Sequence, residues 1–186
     1  MRMNKVTAIL GRRGTGKTYY TKKLIDVYTQ ALPNQKILIL DTLDHPSYRH
    51  IPLITIDELK RWNKPAIYRL YGKNTDENLK AVSEHLTNAL LILEDASKYL
   101  RRQLSDDVRY FIFDSKQKNL DIIFLFHGFM AAPDELFRVI DTLVLFKTDN
   151  PKYRRNALPN YEEIQQVYNK VMNNTSPYYN ETIEIY

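Results

Sequence analysis

Cysteine is absent from the 186-residue chain, which excludes disulfides, thiolate metal sites and cysteine nucleophiles together. Long apolar runs are missing too: Ala89 to Leu93 and Ile122 to Phe126 are about a quarter of the ~20 residues that a membrane span requires. Residues Met1 to Lys5 lack the extended apolar core and small-residue cleavage site of a secretion signal, so the mature chain is expected to begin at Met1. Repeats, low-complexity segments and an interior domain boundary are not evident, and His45, His50 and His85 show no metal-ligand spacing. These absences lead to the expectation of a cytoplasmic chain forming one domain over residues 1–186.

What remains is ample for a packed core, with 44% hydrophobic and 12% aromatic residues. Lys and Arg outnumber Asp and Glu by 27 to 22, and the resulting net charge of +5 favours polyanions. The 14 Tyr and 7 Phe fall mostly at core spacing, so no base-stacking platform for nucleic acid is expected.

Apolar runs alternate with amphipathic ones. Lys5 to Leu10, Lys36 to Leu40, Pro65 to Tyr71, Ala89 to Leu93, Asp121 to Phe126 and Thr142 to Phe146 read as strands. Between them, Tyr20, Leu24, Val27 and Tyr28 recur at helical spacing, as do Leu79, Val82 and Leu86 after an Asn74/Glu77 cap. Leu104, Val108, Phe111 and Ile112 mark a further helical face, and Asn160 with Glu163 is expected to cap a last helix through Ile164, Val167 and Val171. The tail from Asn173 to Tyr186 reads either as an edge strand or as a frayed end. Buried strands alternating with helices define an α/β fold: a mainly parallel sheet covered on both faces, with ligands at the strands' carboxyl ends. The core is expected over about residues 4–149, with a helix and tail in 150–186.

Gly11-Arg12-Arg13-Gly14-Thr15-Gly16-Lys17-Thr18 satisfies G-x-x-x-x-G-K-[ST], directly after a buried strand and directly before a helix. Glycines there let successive backbone N–H groups converge on phosphate oxygens, and the helix N-terminus adds partial positive charge. The motif predicts ATP as ligand, with Lys17 bridging the β and γ phosphates and the Thr18 hydroxyl on Mg2+. Arg12 and Arg13, within the loop, point either to solvent or towards a neighbouring subunit or nucleic acid.

Leu90 to Leu93 runs into Glu94-Asp95, two carboxylates at a strand's carboxyl end. One such acid serves the metal and the other the attacking water; by position Glu94 is assigned to Mg2+ and Asp95 to water. Asp41 and Asp44, after the second strand, are competing carboxylates. His127 ends the strand Asp121 to Phe126, where a sensor of the γ phosphate would stand.

The P-loop, the acidic strand and the segment DIIFLFHGFMAAPDELFRVIDTLVLFKTD together resemble the FtsK/HerA superfamily of DNA-pumping ATPases. The likeness covers roughly Asn4 to Asp149, and by layout is nearest to viral genome-packaging ATPases and to the zonula-occludens-toxin-like assembly ATPases of filamentous phages. In that family the sensor strand ends in a polar residue, then come a proline-containing loop, a short helix and a strand ending in a basic residue. His127, Pro133, Asp134 to Ile140 and Lys147 hold those places. Two departures are His127 in place of the usual Gln and the reversed order of the acidic pair. The toxin-like relatives carry a membrane span that has no counterpart here.

The resemblance implies a homo-oligomeric ring, a hexamer or pentamer, acting on double-stranded DNA, with a capsid or portal as possible partner. It also implies a finger offered to a neighbour's γ phosphate, for which Lys116, Lys118, Arg101, Arg102 and Arg109 are candidates. Arg12, Arg13, Arg101, Arg102, Arg154 and Arg155 are candidates for DNA contact in a pore. Two other readings stay open: a P-loop kinase for a small molecule or nucleotide, and an assembly factor gated by ATP with little turnover.

Overall fold

The computed structural model describes residues 4–73, 75–100 and 104–185. Its elements in chain order are β1 (Val6–Leu10), α1 (Lys17–Ala31), β2 (Lys36–Asp41), α2 (Ile56–Leu59), β3 (Ile67–Tyr71), α3 (Thr75–His85), β4 (Ala89–Leu93), α4 (Asp106–Phe113), β5 (Leu120–Phe126), β6 (Thr142–Leu145), α5 (Tyr161–Asn173) and β7 (Glu181–Glu184). Seven strands form one sheet in the order β3-β2-β4-β5-β1-β6-β7. Every pairing is parallel except that of β7 with β6.

The side-chain alternation of each strand divides the core in two. Ala8, Leu10, Leu38, Leu40, Leu91 and Leu93 point to one face, where residues of α2 to α5 such as Leu59, Val82, Phe111 and Ile164 meet them. Ile9, Ile37, Ile39, Leu90 and Ile92 point to the other, which α1 covers with Tyr20, Leu24 and Ile25. A strand buried on both faces is apolar at nearly every position, which is why β4 and, from Ile122 onward, β5 read as continuous runs rather than as alternation. Each fully buried Leu or Ile contributes about 1.5–3 kcal/mol, so the central strands form a firm platform. The start of β1 is further tied to its neighbours: Lys5 N donates to Asp121 Oδ1 (2.7 Å) and Val6 N to Asp141 Oδ2 (2.7 Å).

The structure departs from the sequence reading in several places. The third strand begins at Ile67 rather than Pro65, and the short helix expected within the Asp134 to Ile140 segment spans Asp134–Arg138 with 3-10 geometry. Leu104 precedes α4, which starts after a cap in which Ser105 Oγ accepts from Val108 N. Asn160 does stand at the start of α5, but its backbone is left-handed (φ 50°) and its side chain makes no capping bond. A capping side chain reaches the N2 or N3 amide from an extended backbone, and the left-handed turn points it elsewhere. The proposed Asn74 cap lies outside the described residues. Of the two readings of the tail, the edge strand holds, with Ile183 buried opposite Leu143.

Candidate active site

The sheet order puts β5 between β1 and β4, so three strand ends converge on one cleft: β1 leading into the P-loop, β5 ending at His127 and β4 ending at Glu94-Asp95. The cleft encloses about 360 Å³ and is bordered by Lys17, Thr18, Glu94, Asp95, His127 and Tyr178. Residues far apart in the chain thus share the space that one triphosphate would need.

The P-loop is anchored at its entry. Gly11 N donates to Phe126 O (3.1 Å) and Arg12 N to Lys147 O (2.8 Å), binding the loop to the ends of β5 and β6. A Cβ on Gly11 would lie 2.6 Å from Phe146 Cβ and 2.7 Å from Thr15 Oγ1, so no larger residue fits without a shift. Gly14 and Gly16 have φ of 80° and 95°, a region that L side chains rarely adopt, and Thr15 Oγ1 closes the turn onto Arg12 O (2.8 Å). Lys17, 8% exposed, donates through Nζ to Gly11 O (2.6 Å) and Arg12 O (3.1 Å). Burial lowers its pKa, with Glu94 and Asp95 opposing that shift and Arg13 adding to it. Arg12 and Arg13 are exposed, and Arg13 borders the cleft.

The two acids differ in their surroundings. Glu94 is held at both oxygens, Oε1 accepting from Thr18 Oγ1 (3.3 Å) and Oε2 from the buried Tyr48 hydroxyl (3.1 Å). Asp95 has a left-handed backbone (φ 52°); its Oδ1 accepts from Ser97 Oγ (2.7 Å) and lies 3.8 Å from His127 Nε2, and its Oδ2 lies 3.9 Å from Lys98 Nζ. Burial and Lys17 hold the His127 pKa below its ordinary 6.5, against the pull of Asp95, so the imidazole is neutral at pH 7 and offers a single N–H donor. A hydroxyl and a carboxylate adjacent at the cleft floor suit Mg2+, which keeps several waters and is held by one or two protein groups plus phosphate oxygens. The donor set therefore fits that ion, with Thr18 and Glu94 as the residues that could hold it. Among the described residues no group of three or more His, Asp or Glu forms a denser metal site.

Burial raises the Glu94 pKa, while the bonds from Tyr48 and Thr18 and the charges of His45 and Lys17 oppose the rise. A carboxylic acid whose folded pKa is raised favours the folded state only while protonated, and that advantage is lost as pH climbs from its ordinary 4.5 through the folded value. Glu94→Gln keeps one carbonyl oxygen to accept from a hydroxyl, sets an amide N–H that donates to the oxygen of the other, and removes the buried charge. The variant is expected to melt a few degrees above the wild type at pH 8, with the gap closing as pH falls towards 4.5, as measured by thermal unfolding across that range.

The competing carboxylates are paired within the chain, although Asp41 borders the cleft. Asp41 accepts from Leu43 N (3.0 Å), His45 N (2.8 Å) and the buried Arg69 guanidinium (3.0 Å), and Asp44 from Arg69 (2.5 Å) and Arg49 (2.9 Å). Together they fix the loop after β2 that brings His45 to the cleft and the buried Tyr48 to Glu94. Among the finger candidates, Arg109 pairs within the chain with Asp106 (2.9 Å) and Glu135 (2.8 Å), and Lys118 donates to Ser83 O. Lys116 is exposed beyond α4, and Arg101 and Arg102 lie outside the described residues. Of the DNA-contact candidates, Arg154 is largely spent on Asp134 (2.5 Å) and on the carbonyls of Phe129 and Met130 (3.3 and 3.1 Å), whereas Arg155 is exposed beside Glu162 and Tyr161.

Sequence reasoning missed three contributors. Tyr48 reaches Glu94 from 46 positions away, and Asp149 clamps the loop after His127 by accepting from Phe129 N (2.6 Å) and Met130 N (2.9 Å). A Cβ on Gly128 would press on Asp149 Oδ1 and on Thr148 Oγ1, so a larger residue there would have to displace the clamp. The third, Tyr178, enters from the tail. Only the Thr148-Asp149 polar pair after an apolar strand offered any local signal; the tyrosines look like ordinary core or surface residues.

This sheet order, with a glycine-rich loop opening α1 and acids at the end of β4, is the α/β fold of P-loop NTPases. Among solved structures the chain is similar to B204, the DNA-packaging ATPase of Sulfolobus turreted icosahedral virus: TM-score 0.78 and 15% identity, over 100% of this chain and 94% of that one. It is similar too to the genome-packaging NTPase B204 of Sulfolobus turreted icosahedral virus 2 in complex with sulfate (TM-score 0.77, 16% identity, 97% and 91% coverage). The same protein in complex with ATP-γ-S gives TM-score 0.76 and 14% identity, over 100% and 94%. At these identities the likeness establishes the fold. No family model matches the chain, and no curated protein sequence does. Among the described residues no helix is long and apolar enough to cross a membrane.

Proposed function

We propose that this chain is an ATPase that uses Mg2+ and, assembled as a homo-oligomeric ring, moves double-stranded DNA as a viral genome-packaging motor does. The observation that carries the reading is the convergence of Lys17, Thr18, Glu94, Asp95 and His127 on one cleft at the sheet's carboxyl edge. Its support from outside the site is a likeness to packaging NTPases that extends over the whole chain, tail included, and not over the P-loop alone. On this reading residues 1–186 act as one ATPase domain.

Each group has a role its position permits. The backbone N–H groups of the P-loop and the Lys17 ammonium bind the phosphates, and Lys17 leaves the Gly11 and Arg12 carbonyls to do so. Thr18 and Glu94 hold Mg2+, which when bound neutralises charge on the β and γ phosphates. Asp95 takes the proton from a water in line with the γ phosphate, and neutral His127 donates a hydrogen bond to the transferring group. A finger from the neighbouring subunit completes the charge complement, so an isolated monomer is expected to turn over slowly.

The test is ATP hydrolysis with and without double-stranded DNA. Turnover is expected to rise several-fold with DNA, and the DNA affinity to fall steeply between low and moderate salt as counterions are released. Phosphate transfer to a small acceptor would instead identify a kinase. Negligible turnover under every condition would identify an assembly factor that only binds the nucleotide.

A further inference from the structure

We infer that Tyr178, in the tail between α5 and β7, is the platform for the base of the bound nucleotide. The inference rests on the proposed reading of the cleft as a triphosphate site and adds the part of the ligand that the P-loop leaves unread. A P-loop grips phosphates, and every nucleoside triphosphate presents the same ones, so the base must be recognised by something beside the loop.

Tyr178 stands at that place. Its ring lies against Gly16, with Cδ1 3.2 Å from where a Cβ on that glycine would sit, and it borders the same cleft as Lys17 and Glu94. It is nevertheless 64% exposed, so the ring is not there to fill a core. Among the described residues no other ring or cation stacks on it, whereas the face of Tyr19, the other exposed tyrosine bordering the cleft, is covered by the Lys23 ammonium at 4.7 Å. An exposed aromatic surface beside an array of phosphate donors complements a ligand with a polyanionic end and a flat aromatic end.

The backbone that carries the ring is fixed on both sides. Lys147 Nζ donates to Asn174 O (2.6 Å) where α5 ends, Ser176 N to Asn174 Oδ1 (2.9 Å), and Tyr178 N to Ser176 Oγ (3.3 Å). Asn180 Nδ2 donates to Tyr178 O (3.2 Å), and β7 then pairs antiparallel with β6. Because Lys147 O also accepts from Arg12 N, one residue at the end of β6 sets both the P-loop and the tail. The ring and the phosphate donors are thereby held in one frame, the preorganisation that a two-part ligand needs.

The experiment is calorimetric titration of the full chain, with magnesium, by ATP-γ-S and separately by inorganic tripolyphosphate, which has the phosphates and no base. The wild type is expected to bind ATP-γ-S more tightly than tripolyphosphate. Tyr178→Ala is expected to weaken ATP-γ-S by about 5- to 100-fold, the range for removing an aromatic platform from under a base, and to leave tripolyphosphate within about two-fold. Tyr178→Trp, which keeps a platform, is expected to bind both ligands as the wild type does. Equal weakening of both ligands by Tyr178→Ala would mean that the ring only braces the P-loop, and no weakening would mean that the base lies elsewhere; either overturns the inference while leaving the triphosphate site intact. Failure of the wild type to bind either ligand would overturn the triphosphate site, and this inference with it.

Discussion

Lys17→Ala is expected to lower ATP turnover by about 100-fold or more, the scale for removing one preorganised donor to developing charge. Lys17 has two tasks in this architecture. Without ligand its ammonium closes the loop onto Gly11 O and Arg12 O, and it is nearly buried at 8% exposure. Burial disfavours the charge, as the lowered pKa records, and Glu94 and Asp95 only partly compensate. On the proposed reading a triphosphate would supply the missing negative charge at the same point, so nucleotide affinity as well as turnover is expected to collapse in the variant. Hydrolysis assays and calorimetry on the purified variant measure both, with circular dichroism to establish that it folds. Turnover within a few-fold of the wild type would remove Lys17 from the mechanism.

Asp95→Asn is expected to bind ATP with affinity close to that of the wild type and to hydrolyse it about 100- to 10,000-fold more slowly, the contribution typical of a positioned general base. The division of labour follows from the contacts. Both Glu94 oxygens are occupied by hydroxyls, one of them that of Thr18, and on the proposed reading this puts Glu94 on the Mg2+ side. Asp95 faces His127 across 3.8 Å on the side open to the cleft, with Ser97 orienting Oδ1. Asparagine preserves the bond from Ser97 and suits the left-handed backbone at this position, so the change isolates the lost base from any folding effect. A fully active Asp95→Asn variant beside an inactive Glu94→Gln variant would transfer the water-activating role to Glu94. The stability gain expected of Glu94→Gln would hold even then, because it depends on burial and not on the reaction.

The legible parts of this site are those that physics confines to a few consecutive residues. The P-loop needs glycines, a lysine and a hydroxyl within eight positions, and β4 announces Glu94 and Asp95 because a strand covered on both faces admits a carboxylate only where it emerges. The α/β class followed from the same alternation. What stayed hidden is non-local. Nothing near Arg69 in the sequence shows that its guanidinium pairs with Asp41 and Asp44 and ties both into the loop after β2. Tyr48, Asp149 and Tyr178 reach the site only because the sheet order sets β2 beside β4, β6 beside β1 and β7 beyond β6, and strand order is not written in any short segment. The Asn160 expectation failed for a different reason: a residue type suited to capping also suits a left-handed turn, and here the turn prevailed.

Titration of the full chain with magnesium and a nonhydrolysable ATP analogue tests the central claim most directly. Saturable binding that tripolyphosphate competes away and that Lys17→Ala abolishes is the predicted result. A wild-type chain that folds yet gives no binding at millimolar nucleotide would contradict the account.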